Sequence, residues 1–245
     1  MTESSAWSGE FTNRAERRAA EADPDWGGGS RLHPAVVRSV QKFQVGESGD
    51  GAHLIGAAAA AGDADYERAI RLFVAEEQNH ARMLAEVLRA AGASTTNAHW
   101  SDVIFVRLRR LLGLRLELMV LTIAEVVALR YYRALADGGD DRLLTDVSER
   151  ILADERFHVP FQCRRLRLGF AHTPGLAQVL IKHGWRAMAF GVIIVVAADH
   201  GPALRVCGVS RRAFIRDSMR LFDDAAAAVF DGNPSTAHTY SADLR

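Results

Sequence analysis

The residues best suited to chemistry in this chain lie in a short pattern that occurs twice. The order Ala-acid-Glu-x-x-His is found over residues 75–80 and again over residues 153–158. A further glutamate lies 30 residues before the Glu of each copy, at Glu47 and at Glu125. Positions i and i+3 of a helix lie about one turn apart on the same face, so a carboxylate and an imidazole at this spacing can bind one ion.

The glutamates of this pattern have neighbours unlike those of surface charges. Three and four positions away, Glu77, Glu125 and Glu155 have mainly apolar residues and no basic residue. Glu86, by contrast, has an arginine on either side at this spacing. A carboxylate on a core-facing stripe costs several kcal/mol unless it is paired, protonated or bound to metal. Two divalent cations would neutralise four such carboxylates, and we therefore predict a metal site.

The elements that carry these residues are predicted to be helices. Apolar residues recur at three- and four-residue intervals, and glycine and proline mark the turns between the periodic stretches. The predicted helices are 34–60, 64–91, 102–136, 140–170, 175–198 and 210–230. The fold class is therefore all-α. A 30-residue spacing returns an antiparallel neighbour to the same level, and the 48 residues from Glu77 to Glu125 suit a crossover carried by Ala93 to Arg110.

Composition restricts the class of protein. The 245 residues are 49% hydrophobic and 24% charged, which excludes wholesale disorder. Lys+Arg and Asp+Glu are both 30, a balance that argues against a nucleic-acid partner. Cys163 and Cys207 are too few for a disulfide framework or a cysteine-based zinc site, so we expect a reducing, cytoplasmic location.

Three regions are predicted along the chain. Residues 1–33 are polar and are expected to form a mobile tail with a short helix over 13–22; residues 34–172 form the metal-binding bundle; residues 173–245 form a C-terminal helical extension that packs on it. The apolar run Ala187 to Ala198 would span about 18 Å as a helix, against roughly 30 Å of hydrocarbon in a bilayer. We therefore expect a buried helix there, with a peripheral membrane contact as the alternative, and no stable membrane span.

The pattern resembles the ferritin-like superfamily of di-iron carboxylate proteins. These are four-helix bundles with one Glu on each of two helices and Glu-x-x-His on the other two. The resemblance covers about 34–172 and implies a four-helix bundle with additional C-terminal helices. It implies two iron ions, with Mn/Fe or Mn as alternatives, in which Glu77 and Glu155 bridge the ions. The implied ligands, which are also the catalytic residues, are Glu47, Glu77, His80, Glu125, Glu155 and His158.

The same resemblance implies three alternative activities. The first is a di-iron oxidase or oxygenase that activates dioxygen, takes electrons from an external donor and oxidises a small, apolar organic substrate; a homodimer is compatible with this. Rubrerythrins, bacterioferritins and aldehyde-deformylating oxygenases share features of the pattern. The second activity is iron oxidation and storage or peroxide scavenging. The third is a non-catalytic helical protein stabilised by metal. We expect the first because residues 173–245 extend beyond the bundle.

Two ligand positions have rivals. Glu47 lies in a glycine-rich stretch that is a poor helix interior, and Asp50 is the alternative one turn further on. Glu117 also has an apolar face and competes with Glu125, which we prefer because it keeps the 30-residue spacing.

Other residues near the pattern have a supporting or structural interpretation. The resemblance suggests that Glu76 and Asp154 orient a ligand histidine by holding the ring nitrogen that does not bind the metal. The alternative is that they are exposed helix charges. His53 has no acid at a useful spacing and is expected to be a surface or structural residue. Pro160 is expected to kink its helix.

Overall fold

The computed structural model describes residues 3–96 and 113–231, and all the regular structure in these ranges is helical. The predicted all-α class is therefore confirmed for the described part of the chain. Its helices are α1 Glu3–Ala20, α2 Pro34–Glu47, α3 Ala52–Ala60, α4 Ala64–Ala90, α5 Gly113–Gly138, α6 Arg142–Phe170, α7 Gly175–Asp199, α8 Gly201–Val206 and α9 Arg211–Phe230. A 3-10 turn lies at Trp26–Gly28.

Local signals set most helix starts where the sequence places them. The side chains of Asp63, Asp141 and Ser210 each accept a hydrogen bond from a backbone N–H in the first turn of α4, α6 and α9, respectively. Such caps satisfy N–H groups that have no partner within the helix. The predicted helices beginning at residues 64, 140 and 210 agree with these elements to within two residues.

The predicted helix 34–60 is two helices instead of one. α2 ends at Glu47, and Gly51 adopts a left-handed conformation with φ of 62° before α3 begins. A Cβ at Gly51 would lie 2.5 Å from a methyl carbon of Val74, so the turn requires glycine on two grounds. The glycine-rich stretch after Glu47 therefore ends the helix.

Other helix predictions have a mixed outcome. The described part of α5 begins at Gly113, so the predicted start at residue 102 and most of the predicted crossover at 93–110 lie outside the described residues. α6 is one helix from Arg142 to Phe170 and runs through Pro160 without a break. The short helix α8 was not predicted.

The chain divides into two compact units, Met1–Glu117 and Leu118–Arg245. In the first unit α1, α2 and α3 all pack against α4. The sequence analysis predicted a mobile tail and a short helix for the region that contains α1. Instead, α1 is an 18-residue helix that buries Phe11 completely. Burial of this aromatic ring and two arginine contacts described below fix α1 on α4.

In the second unit the remainder of α5 packs with α6, α7 and α9. The indole N–H of Trp185 on α7 donates to the carbonyl oxygen of Met119 at 2.9 Å, and its ring meets Phe222 edge-on with centroids 4.8 Å apart. Arg130 Nε donates to Asp217 at 3.2 Å and joins α5 to α9. These contacts bury one side of α7 only.

α7 differs from the buried helix predicted for the apolar run. It is long and apolar enough to cross a membrane by length and composition, yet only 17% of its most apolar 18-residue window is buried. The residues of α7 that are buried are Trp185, Ala189, Ile193 and Ala197. The prediction of a core helix was wrong because most of this helix lies at the surface.

Candidate metal-binding site

In the first unit, Glu47, Glu77 and His80 form a cluster. Each offers one ligand atom, and these atoms lie within 4.8 Å of one another. His80 is completely buried, Glu47 is 8% exposed, and His80 Nδ1 lies 3.5 Å from Glu77 Oε1. One imidazole and two carboxylates in such a small volume can hold a divalent cation.

The local sequence explains how these three side chains meet. α4 buries an apolar stripe that includes Phe73, Leu84 and Val87, and Glu77 and His80 lie one turn apart on the same helix. Glu47 is the last residue of α2, which packs on α4. α2 therefore ends at its candidate metal ligand, Glu47, and the turn at Gly51 follows.

The second unit contains an equivalent cluster of Glu125, Glu155 and His158. Their ligand atoms also lie within 4.8 Å of one another, and all three residues are at most 3% exposed. His158 Nδ1 lies 3.4 Å from Glu125 Oε2 and 3.6 Å from Glu155 Oε2. The six residues predicted as ligands are thus brought together as two triplets, one in each unit and each with one histidine.

A hydrogen-bonded pair that sequence analysis did not predict extends the second cluster. Gln162 Nε2 donates to Glu125 Oε1 at 3.0 Å, and the Thr122 hydroxyl lies 3.0 Å from Gln162 Oε1 and 2.7 Å from the Leu118 carbonyl. Thr122 and Gln162 are almost fully buried. Gln162 follows His158 by four residues, so helical spacing from the motif was the signal that could have revealed it.

The carboxyl group of Glu125 is held in its charged form. Burial raises the pKa of the Glu125 carboxyl. Hydrogen bonds with Glu155, His158 and Gln162, together with the charge of His158, lower it by a larger amount, so the pKa lies below its ordinary value. Glu125 is therefore ionised at neutral pH although it is buried.

The acids that precede the two motif glutamates are both buried. Glu76 is completely buried and makes an ion pair with Arg18 of α1 at 2.5 Å, with Arg14 3.9 Å away. Complete burial shows that the alternative of an exposed charge is wrong for Glu76, whereas its predicted role of orienting a ligand histidine stays a prediction. Asp154 is 5% exposed, so it is not an exposed charge either.

The two alternative ligands, Asp50 and Glu117, lie outside both clusters. Asp50 is exposed, and its carboxylate accepts a hydrogen bond from the backbone N–H of Ala52 at the start of α3. Glu117 is completely buried and lies 2.9 Å from the Nδ1 of His53, which is 38% exposed. His53 is exposed, as expected for a surface residue, and its acid partner lies 64 residues away in the sequence, where no helical spacing could reveal it. Neither rival belongs to the clusters formed by the described residues.

Comparison of the chain with models of known protein families, with curated proteins and with solved structures gave no match. What the geometry establishes is an all-helical protein with buried Glu and His residues that could bind metal.

Proposed function

We propose that the two triplets form one dinuclear metal centre in a ferritin-like four-helix bundle. Glu77 and Glu155 would bridge the ions, and Glu47, His80, Glu125 and His158 would be terminal ligands. The observation that carries this proposal is the pair of equivalent buried clusters, each with two carboxylates and one imidazole within 4.8 Å. Four carboxylates carry four negative charges, which two divalent cations neutralise.

The chemistry of the donor set fits iron or manganese. Carboxylate oxygens and imidazole nitrogens suit these ions, whereas a thiolate-rich site would favour zinc, copper or an iron–sulfur cluster. Cys163 and Cys207 are both buried, and neither belongs to the two clusters. The contacts around Glu125 are also compatible with a metal site. Gln162 donates to one oxygen of Glu125 and leaves the other directed at His158.

We further propose that the centre oxidises a small apolar substrate with dioxygen and electrons from an external donor. Reduced iron bound here would supply the electrons that dioxygen accepts. The protein's part is to hold the ligands in a dry region: His80 and His158 are completely buried, and Phe73 on α4 is 3% exposed. Exclusion of water protects a reactive centre from side reactions and favours an apolar substrate.

The first experiment is metal analysis after anaerobic loading with Fe(II), followed by rapid mixing with oxygen. We expect about two irons per chain, and an absorption change on mixing that Glu125→Ala lacks. Glu86→Ala is the matched control, since Glu86 pairs with Arg89 on an exposed part of α4. Less than one iron per chain in the reconstituted protein would contradict the proposal, and uptake of many irons per chain would indicate storage instead.

A second experiment separates one dinuclear centre from two independent mononuclear sites. His80→Ala and His158→Ala each remove the imidazole of one cluster. In a shared centre, each substitution weakens binding of both ions and abolishes magnetic coupling between them in the Fe- or Mn-loaded protein. Two independent sites would instead leave one ion bound with unchanged affinity in each variant, which would refute the dinuclear centre.

A further inference from the structure

The outward side of α7 exposes large apolar residues in two groups, one toward each end of the helix, with the exposed His183 and Arg186 between them. Its large exposed residues are Leu176, Val179, Leu180, Phe190, Ile194 and Val195, with exposures from 41% to 76%. We call these six residues the α7 face. At roughly 150 Å² for each side chain, the low end of the range for aromatic residues, these fractions leave on the order of 500 Å² of apolar surface on one helix. This is at the upper end of the largest patch on an ordinary monomer, about 300–600 Å².

The spacing of this surface is that of a helix–helix seam. Leu176, Leu180, Ala187, Gly191, Ile194 and Ala198 are all exposed and recur at intervals of three, four or seven residues, which places them along one side of the helix. Small residues interrupt the large ones along the face, at Gly184, Ala187 and Gly191. An added Cβ at either glycine would meet no atom within 4 Å, so another helix can approach closely there.

We propose that the α7 face packs against the same face of a second copy of this chain, antiparallel, with a two-fold axis at Ala187. A symmetric dimer requires a self-complementary surface, in which each contact occurs twice. Under this axis Phe190 lies opposite Gly184 and Leu180 opposite Ile194, because the paired positions are equally far from residue 187 in opposite directions. A large ring is thus matched by a glycine.

The exposed apolar area of the α7 face can be compared with the area that each partner buries in a stable dimer. A typical stable interface buries about 800 Å² per partner. The α7 face supplies most of this, and the small residues between its large side chains supply further area.

Charge distinguishes a second copy from a membrane surface. The cations beside the face are neutralised by carboxylates of the same unit: Lys182 Nζ lies 2.8 Å from an oxygen of Asp231, and Arg186 Nε lies 2.8 Å from one of Asp223. Helices that lie on anionic membranes carry an excess of Lys and Arg on the adjacent polar face. Because Lys182 and Arg186 are already paired with carboxylates, the charges beside the α7 face favour a second copy of this chain over an anionic membrane.

The first test is sedimentation of the full chain over a range of concentrations. We expect a species of twice the 26.8 kDa chain mass, and Ala187→Arg should weaken dimerisation at least about tenfold, because like charges would meet at the axis. Ala187 is exposed, so the variant should fold, which circular dichroism checks. Ala59→Arg, at an exposed position of α3, is the matched control and should leave the dimer intact.

The second test fixes the orientation. Under oxidation, a mixture of Leu180→Cys and Ile194→Cys proteins should form cross-linked dimers far faster than either protein alone, because the antiparallel axis pairs these two positions. The native thiols of Cys163 and Cys207 are buried and should contribute little. A monomer at about 100 µM chain, or a dimer unaffected by Ala187→Arg, would overturn the proposal. Flotation of monomeric protein with phosphatidylserine vesicles that Ala187→Arg abolishes would overturn it in favour of a membrane surface.

Discussion

Gln162 offers a direct test of how the second cluster is held together. Its side-chain amide donates to Glu125 Oε1 at 3.0 Å, in a region where both residues are at most 3% exposed. A hydrogen bond to a charged group contributes about 1.5–3 kcal/mol, and removal of one partner leaves the other to bear its desolvation cost. Gln162→Leu should therefore lower the free energy of unfolding of the metal-free protein by about 2 kcal/mol.

The assay is thermal or urea unfolding of the metal-free protein. For a chain of this size, about 2 kcal/mol corresponds to a decrease in Tm of roughly 4–8 °C. Gln41→Leu is the control: its amide donates to the Ser94 carbonyl at an exposed position, so its effect should stay within about 0.5 kcal/mol. Gln162→Glu should destabilise at least as much as Gln162→Leu, because it places a third carboxyl beside Glu125 and Glu155, and added metal should recover part of the loss.

If Gln162 positions Glu125, its substitution should have an effect on metal binding that loss of side-chain packing alone would not produce. If the amide orients Glu125 toward the ion, Gln162→Leu should weaken metal binding about tenfold or more and alter the Mn(II) EPR spectrum of the bound ion. Equal stability of the Gln162→Leu and Gln41→Leu proteins would refute the energetic argument. Unchanged metal affinity and spectrum would refute the positioning role, while the proposed metal centre would stand.

Three further outcomes are expected. Arg18→Ala should destabilise the protein by about 1–3 kcal/mol in urea unfolding, because Glu76 is completely buried against it; no loss would show that α1 does not depend on this ion pair. Gly138→Ala should lower Tm, since its Cβ would clash with the backbone oxygen of Cys207, whereas Gly56→Ala, with open space in mid-helix, should raise stability by about 0.5–1 kcal/mol; the reverse order would contradict the packing described. Burial raises the pKa of Cys163 to about 12, so its thiol stays protonated and should react with a thiol reagent at pH 8 only after unfolding; rapid reaction of the native protein would contradict its burial.

The helices and the six candidate ligands could be found from sequence because both depend on short-range periodicity. Glu77 and His80 share a face whatever the surrounding fold, since i and i+3 lie one turn apart. The caps at Asp63 and Asp141 likewise act within three residues. The 30-residue spacing singled out Glu47 and Glu125, and each lies in a cluster with the Glu and His of the motif copy that follows it.

The partners of the buried polar groups could not be found in this way. Arg18 reaches Glu76 and His53 reaches Glu117 across 58 and 64 residues of chain, and no local pattern marks either pair. A polar N-terminal sequence was expected to be mobile because few of its residues are apolar. In the structure Phe11 is completely buried, and Arg14 and Arg18 contact Glu76 on α4, so this segment is docked.

Periodicity also fails to tell a core helix from a surface helix when a helix is apolar on all sides. The composition of α7 determined that it would be helical and apolar, but not how much of it would be covered. The sequence by itself determined the all-α class of the described residues and the shared helix face of the glutamate and histidine in each motif copy, since these follow from residues a few positions apart. Tertiary structure decided which charges are neutralised and which side of α7 stays exposed, because these depend on contacts between residues far apart in the chain.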